Sequence, residues 1–177
     1  MSRGSVRDAV RITECDASAG PDFRRAMSRF ASGVVLVTAR DGEDLVGMTC
    51  QSFTSLSLKP PLVTFAAGRG STSFPRLCDA GEVCISVLSR EQDWLSSQFA
   101  VSGGDKWRSV GWSPGRNGAP RVSDAVMWCE GRIEIVHEVG DHLLAIVAVS
   151  SLATADGPVS PLIFHDGRYT GLHHAAG

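Results

Sequence analysis

The stretch Gly47-Met48-Thr49-Cys50-Gln51-Ser52-Phe53-Thr54-Ser55-Leu56-Ser57-Leu58-Lys59-Pro60-Pro61 lies between two apolar, strand-like runs at 34–39 and 62–67. Seven of its fifteen residues are Ser, Thr, Gln or Lys, although the flanking runs predict a buried location. Buried polar groups require partners, and a bound polar cofactor is one such partner. The alternative is a Ser/Thr-rich edge strand and loop that bonds to itself and to water.

On both sides of this stretch, short apolar runs alternate with turn residues. Strands are predicted at 34–39, 45–53, 62–67, 83–88, 126–139 and 142–153, with a last hairpin over 162–172. Helices are predicted from Asp22, over 71–79 and over 90–99, and a long loop over 103–122. Many strands with hairpin signals between neighbours favour a mainly β, antiparallel barrel over a parallel βαβ sheet.

The residue order of the opening stretch resembles the flavin-binding signature of the flavin reductase-like family. These small NAD(P)H:flavin oxidoreductases serve two-component monooxygenases, and the resemblance extends from about Phe23 to Leu172. The further matching pieces are Phe23-Arg24-x-Ala26-Met27, Ala31-Ser32-Gly33-Val34, Ser73-Phe74-Pro75, Phe99-Ala100, Asp105-Lys106-Trp107, Gly140-Asp141-His142 and Pro161-Leu162-Ile163-Phe164-His165-Asp166-Gly167-Arg168-Tyr169.

The resemblance implies a split β-barrel of the FMN-binding type, usually a homodimer with each flavin near the subunit interface. It also implies hydride transfer from NADH or NADPH to FMN or FAD, and delivery of reduced flavin to a separate oxygenase or halogenase. The barrel domain is expected over 21–172, after a disordered segment 1–20 and before a tail 173–177. Long apolar strands with little helix to cover them favour a dimer independently.

Composition excludes several other classes of protein. The net charge of −2 provides no basic surplus for a nucleic-acid partner. No apolar run approaches the ~20 residues of a membrane helix, and no secretory leader is visible. Five cysteines without a C-x-x-C motif indicate reduced thiols and a cytoplasmic protein.

The segment Gly68-Arg69-Gly70-Ser71-Thr72-Ser73 has the properties of an anion site, because a glycine-flexed loop before a helix presents free N–H groups. Arg69 could add a charge-assisted bond. The alternative is a capped helix with water on its amides. The resemblance places the flavin phosphate here and near Ser55 and Ser57, so Ser57→Ala and Ser71→Ala are expected to weaken flavin binding.

The isoalloxazine ring requires donors that face its polar edge, because reduction places negative charge there. We assign this role to Thr49, Cys50, Gln51 and Ser52, acting largely through backbone groups. Gln51 can donate and accept through its own amide. A small core residue is the alternative interpretation of Cys50.

His142 follows a Gly140-Asp141 turn, and the resemblance places the matching histidine where the nicotinamide docks. There it would orient or polarise the substrate, since hydride transfer requires no nucleophile. The residues alone favour a turn histidine that is solvated or bonded to Asp141.

Four aromatic residues are candidates for the wall of the cofactor cleft: Phe99, Trp107, Trp112 and Tyr169. The Asp105-Lys106 pair is a candidate for contact with the nicotinamide nucleotide or the flavin phosphates. For the aromatic residues the alternative is a place in the core, and for Asp105-Lys106 it is a surface salt bridge. No Cys or His pair has the spacing of a zinc site, so no metal is expected. Two rival functions remain open: flavin binding without NAD(P)H turnover, and a split barrel that binds another ligand such as haem.

Overall fold

The computed structural model describes residues 14–15 and 20–172 of the 177-residue chain, so most of the predicted segment 1–20 and the tail 173–177 lie outside the described residues. The described part contains three α-helices and twelve strands. The helices are α1 Gly20–Met27, α2 Phe74–Ala80 and α3 Asp93–Ala100. The strands are β1 Ser32–Gly33, β2 Val35–Asp41, β3 Asp44–Cys50, β4 Thr54–Leu58, β5 Pro61–Gly68, β6 Glu82–Val87, β7 Trp112–Pro114, β8 Pro120–Val122, β9 Met127–Val139, β10 His142–Thr154, β11 Ile163–His165 and β12 Arg168–Thr170.

The main sheet has seven antiparallel strands in the order β3-β2-β6-β9-β10-β5-β4. Its two edges are held near each other by the segment that joins β3 to β4. There the Ser52 hydroxyl accepts a hydrogen bond from the Ala66 amide at 2.7 Å and donates one to the Ala66 carbonyl at 3.1 Å. The predicted mainly β, antiparallel architecture is confirmed.

Strand β2 is buried on both faces from Val35 to Ala39, which explains why four of these five residues are apolar. Val35 and Val37 belong to one core, with Phe65 from β5. Leu36 points to a second core that includes Phe99 of α3. Side chains alternate along a strand, so β2 joins the barrel interior to the layer that carries α3.

Several predicted boundaries shift. The strand expected to reach Phe53 ends at Cys50, and the helix expected from Ser71 begins at Phe74. The helix expected from Arg90 begins with a 3₁₀ turn at Arg90–Gln92, where the Ser89 amide donates a hydrogen bond to the Gln92 side chain at 2.9 Å. The ends of these strands and helices are set by strand pairing and by hydrogen bonds at the helix termini, both of which depend on neighbours in the folded chain.

Helix α1 begins at Gly20 rather than at the predicted Asp22 and ends at Met27, before Phe30, and its apolar side chains are exposed. Phe23 and Met27 are 56% and 51% exposed, Phe30 just beyond the helix is 71% exposed, and α1 contains no buried residue. In the described chain this apolar face packs on no core.

The predicted loop 103–122 contains a short hairpin, β7–β8, which a buried carboxylate attaches to the main sheet. Glu130 on β9 is 0% exposed; it accepts hydrogen bonds from the Arg116 amide at 2.9 Å and the Ser151 hydroxyl at 2.8 Å, and it pairs with Arg121. Burial acts to raise the pKa of Glu130, but these hydrogen bonds and the charge of Arg121 outweigh it and lower the pKa. The second half of the loop is thus fixed in place.

Candidate functional site

A cleft of about 290 Å³ opens where β3, the loop after β5 and the loop after α3 meet, and we call it cleft A. It brings together six of the fourteen predicted site residues: Thr49, Ser71, Thr72, Ser73, Phe99 and Lys106. The other lining residues, which the sequence reasoning did not single out as site residues, are Met48, Gly68, Gly70, Ala100, Val101 and Ser102. The Gly68–Ser73 loop therefore faces the strand that carries the Gly-Met-Thr motif.

Lys106 provides the positive charge of cleft A. Its ammonium lies 3.4 Å from the Ser73 hydroxyl and 3.4 Å from the Phe99 carbonyl, both neutral acceptors. None of the salt bridges found among residues 20–172 involves Lys106. Burial lowers the pKa of this lysine. A partly desolvated ammonium without a carboxylate partner is suited to an anionic ligand.

The Gly68–Ser73 loop presents backbone to open space. A Cβ atom added at Gly68 or at Gly70 would meet no atom within 4 Å. The Ser71 hydroxyl accepts a hydrogen bond from the Phe74 amide at 3.1 Å and so satisfies the first amide of α2, although the N-cap position itself is Ser73. Thr72 is exposed. A ligand in cleft A can therefore approach the backbone of this loop closely.

In the Thr49–Ser52 segment, most side chains are bonded within the protein. The Thr49 hydroxyl donates to the Ser96 carbonyl at 2.7 Å, and Ser52 bridges to Ala66. The Cys50 thiol lies 3.0 Å from the Ser52 hydroxyl and is buried in the barrel core, which supports its interpretation as a core residue. Gln51 is exposed. Contact between this segment and a ligand would therefore fall to backbone groups and Gln51.

Ser55 and Ser57 do not join the Ser71–Ser73 group. They lie on β4, where Ser57 is opposite Leu62, at the far end of β5 from Gly68. Six residues of strand span roughly 20 Å. A single phosphate cannot contact both groups within one chain, which corrects the sequence-based expectation of one shared phosphate site.

Arg69 also departs from its predicted role. Its guanidinium lies 3.0 Å from the Glu138 carboxylate, and its backbone amide donates to the Asp141 carbonyl at 3.0 Å. The guanidinium is thus paired with a carboxylate, and Arg69 is absent from the lining of cleft A. The partner is 69 residues away in sequence, so no local pattern could have indicated it.

His142 lies opposite Gly68 in the register of β10 and β5, which places its backbone next to the Gly68–Ser73 loop. Its Nδ1 is 2.7 Å from the Asp141 carboxylate, the pairing that the residues alone favoured. The hydrogen bond and charge of His142 lower the pKa of Asp141. Whether His142 also orients a substrate stays a prediction.

Tyr169 lies outside the lining of cleft A but is connected to it. Its hydroxyl is 3.0 Å from the Ser96 hydroxyl, and the Ser96 carbonyl accepts the hydrogen bond from Thr49. Tyr169 also packs against the second core. It supports the wall of the cleft from behind.

A second cleft, of about 570 Å³, adjoins cleft A, and we call it cleft B. The two clefts share Thr72, Ser73 and Lys106. The rest of cleft B is formed by Glu43, Asp44, Leu45, Val46, Gly47, Arg76, Gly103, Gly104, Asp105 and Trp107. The sequence alone did not predict this cleft. Of the residues found only in cleft B, Asp105 and Trp107 belong to a noted motif, and that motif does not indicate the contribution of the β2–β3 hairpin.

Within the described ranges 14–15 and 20–172, no three His, Cys, Asp or Glu side chains form a metal-binding group. In the same ranges, no helix combines the length and apolar character required to cross a membrane. Burial raises the pKa of Cys84 to about 12 and that of Cys129 to about 11, so both thiols stay protonated at neutral pH and are unreactive core residues.

Comparison with known families gives a match that spans most of the chain. The model of the flavin reductase like domain family matches residues 27–173. The chain belongs to this family. In this flavin reductase-like domain, Met48 and Thr49 of the Gly-Met-Thr motif and Lys106 of the Asp-Lys-Trp motif line cleft A.

Two relatives of this flavin reductase-like domain are similar to it over more than four fifths of their length. It is 37% identical over 151 residues to a flavin reductase of Pseudomonas putida, covering 85% of this chain and 88% of that protein. It is 33% identical over 151 residues to the reductase subunit of a flavin-dependent monooxygenase of Mycobacterium tuberculosis, covering 85% and 81%.

Among solved structures, the domain is similar to an NADH:FAD oxidoreductase of Streptomyces globisporus C-1027, solved with NAD and FAD fragments. The TM-score is 0.86 at 30% sequence identity, and the alignment covers 94% of this chain and 100% of that one. The split-barrel fold implied by the sequence is therefore confirmed.

Proposed function

We propose that this protein is an NADH-dependent flavin reductase that transfers a hydride from NADH to FMN or FAD. The observation that carries the proposal is the Lys106 ammonium where cleft A meets cleft B, whose hydrogen-bond partners among residues 20–172 are the neutral Ser73 hydroxyl and Phe99 carbonyl. The family and the names of the relatives support the same activity. A second enzyme, an oxygenase or halogenase, would then use the reduced flavin.

The residues of cleft A fit a flavin nucleotide. Clefts A and B, at about 290 and 570 Å³, together fall within the size range of small-molecule sites. Met48 and Phe99 supply apolar contacts, and Gly68 and Gly70 leave open space against the backbone. Lys106 supplies the positive charge that a phosphate requires.

In this proposal, Lys106 and the Ser73 hydroxyl hold the phosphate, and Thr72 borders it. The backbone of the Thr49–Ser52 segment donates to the polar edge of the ring, together with Gln51. When bound, the flavin accepts a hydride from the nicotinamide and carries it to the next enzyme. His142, beside the loop at Gly68, orients the nicotinamide through its ring, which Asp141 holds in place.

A direct test measures loss of NADH absorbance at 340 nm with FMN or FAD added. We expect turnover by the wild-type chain and at least tenfold weaker flavin binding in Gly70→Val, because the added side chain occupies cleft A. Gly33→Val, where an added Cβ also meets open space, is the matched control. Absence of NADH oxidation by the wild-type protein with either flavin would contradict the proposed function.

The subunit arrangement is part of the same proposal. We infer a homodimer, supported by the exposed apolar face of α1 and by exposed apolar residues near the end of β9, namely Ile135, Val136 and Val139. The family resemblance places each flavin near such an interface.

The cellular compartment that fits this function is the cytoplasm. All five cysteines are free thiols, and three of them (Cys50, Cys84 and Cys129) are buried. The cytoplasm keeps thiols reduced. NADH, the proposed hydride donor, is also a cytoplasmic metabolite.

A further inference from the structure

A third cleft, of about 770 Å³, lies where the 3₁₀ turn before α3, the segment before β9 and the loop after β10 meet, and we call it cleft C. It shares no lining residue with cleft A or cleft B. Its volume falls within the usual range of small-molecule sites. A ligand of cleft C would therefore use none of the residues that line the other two clefts.

Two indole rings form much of the apolar wall of cleft C. Trp94 is 47% exposed, and Trp128 is half-buried. The Trp128 Nε1 donates a hydrogen bond to the Val122 carbonyl at 2.8 Å, which fixes the position of its ring. The cation–π contact found among residues 20–172 joins Arg40 to Trp112, so no cation from this range lies over either lining indole. Both rings are thus available to a ligand.

The charged part of the lining is entirely negative. Three exposed carboxylates line the cleft, Glu91, Asp124 and Asp156, and no Lys, Arg or His does, so the formal charge of the lining is −3. None of the salt bridges formed within residues 20–172 involves any of the three. Arg90, next to Glu91 in the chain, lines a different cleft. The charge of cleft C is therefore complementary to a cation.

The placement of these carboxylates favours an organic cation over a metal ion. In the part of the chain that the structure describes, no three His, Cys, Asp or Glu side chains come together as a metal-binding group. The three carboxylates are instead distributed around a lining that also contains the two indoles. An ammonium compound is larger than a metal ion and is attracted to aromatic faces as well as to carboxylates.

We propose that cleft C binds a small organic cation, a primary amine or a quaternary ammonium compound. Its charged nitrogen lies among the carboxylates, and its apolar part packs against Trp94 and Trp128. Because Trp94 and the carboxylates are exposed, each contact alone is weak, and affinity comes from their combination. The proposal goes beyond flavin reduction and does not rest on it, since cleft C shares no residue with the proposed flavin site.

The first test compares cations with neutral compounds of similar shape, on the flavin-free full chain, by ligand-observed NMR titration. The probes are benzylammonium against benzyl alcohol, and choline against 3,3-dimethylbutan-1-ol. We expect saturable binding of at least one of the two cations, and binding of its neutral counterpart to be weaker by about tenfold or more. Added salt should weaken the binding of the cation, because exposed charges are screened.

The second test places the cation in cleft C. Trp94→Ala and Asp124→Asn should each weaken binding of the cation by about threefold or more, since one removes an aromatic face and the other a charge. The matched controls are Phe30→Ala and Glu134→Gln, which make similar exchanges at exposed positions outside the three clefts and should bind as wild type does. Unchanged urea unfolding shows that each variant is folded.

Four results would overturn the proposal. They are absence of saturable binding by both cations, equal binding of the neutral counterparts, wild-type affinity in Trp94→Ala or in Asp124→Asn, and displacement of the cation by one equivalent of Ca²⁺, which would indicate a metal site. Failure of the proposed function looks different: the wild-type chain binds the cation but oxidises no NADH with FMN or FAD.

Discussion

Lys106 is one of only two lysines in the chain, which makes its role easy to isolate. We expect Lys106→Met to weaken FMN binding by roughly 10- to 150-fold, the loss of about 1.5–3 kcal/mol from a charged hydrogen bond. Riboflavin, which lacks the phosphate, should bind both proteins equally in a fluorescence titration.

The other lysine, Lys59, provides the matched control because it lies beside Ser57 at the β4–β5 turn. If Lys59→Met loses FMN and Lys106→Met does not, the phosphate lies at that turn.

The pH dependence of FMN binding gives a further test of Lys106. Burial lowers the pKa of Lys106 below 10.5, so FMN affinity should fall, as pH rises, earlier than for an ordinary lysine.

Gly47 occupies a position where no side chain fits. A Cβ atom there would lie 2.7 Å from the ring of Phe99, which is 1% exposed and lines cleft A. We expect Gly47→Ala to cost about 1–3 kcal/mol through overpacking, measured by urea unfolding, and to weaken flavin binding. Gly33→Ala meets open space and should change neither quantity. Wild-type stability in Gly47→Ala would show that Phe99 moves freely.

His142 allows a sharper choice between two roles. If it orients the nicotinamide, His142→Ala should slow flavin reduction in stopped flow or raise the KM for NADH by up to ~100-fold, with flavin affinity unchanged. If it serves only the turn through its 2.7 Å contact with Asp141, kinetics stay normal. Asp141→Asn keeps the ring while weakening the pair, so comparable kinetic defects in both variants would indicate that Asp141 positions His142.

At the scale of elements, Glu130 connects the β7–β8 hairpin to β9. We expect Glu130→Gln to lower the free energy of unfolding by about 3 kcal/mol, near the low end for a broken buried pair because Arg121 is 26% exposed. The exposed Glu134→Gln on the same strand should change it by less than about 0.5 kcal/mol. Urea unfolding measures both, and equal stabilities would contradict the anchoring role.

The same pair has a defined pH dependence. The pKa of Glu130 in the folded chain is below its ordinary value of 4.5. Its contribution to stability is therefore fully present above that ordinary value and is lost as pH falls through the lowered one. Glu130→Gln should remove this part of the acid sensitivity.

Elements were more predictable than contacts. The apolar runs of β2, β9 and β10 and the Gly140-Asp141 turn were readable because burial and turn chemistry leave local patterns. The motifs also predicted six residues that line cleft A. The pairing of Arg69 with Glu138 was not readable, because the choice of a partner far away in sequence follows only from the assembled sheet.

The same limit applies to Ser57. Its motif suggested proximity to the Gly68–Ser73 loop, but strand register places it at the opposite end of β5. Cleft B went unseen for a related reason: its carboxylates come from the β2–β3 hairpin and from a loop some 60 residues later, and only the fold brings them together.

For the whole molecule, helix α1 indicates association. Isolated helices shorter than ~12–15 residues are marginal in water, and α1 has eight residues and buries none of them in its own chain. We expect a dimeric mass in light scattering at micromolar concentration. Phe30→Lys should shift it towards monomer, while Trp94→Lys, at an exposed apolar residue elsewhere, should not. A monomeric wild-type mass would contradict the dimer.

The long segment 101–122, which follows α3 and includes the β7–β8 hairpin, has two unequal halves. Glu130 holds the backbone amide of Arg116 and the side chain of Arg121 in the second half. In the first half, residues 101–105 are exposed, and one amide, that of Gln98, holds the carbonyls of Lys106 and Arg108. Trypsin should therefore nick the native chain after Lys106 or Arg108 well before Arg116 or Arg121. A phosphate bound at Lys106 would shield the peptide bond after Lys106 from trypsin. The rate of this first cleavage should therefore fall as ligand occupies cleft A, so limited proteolysis measures the occupancy of the cleft.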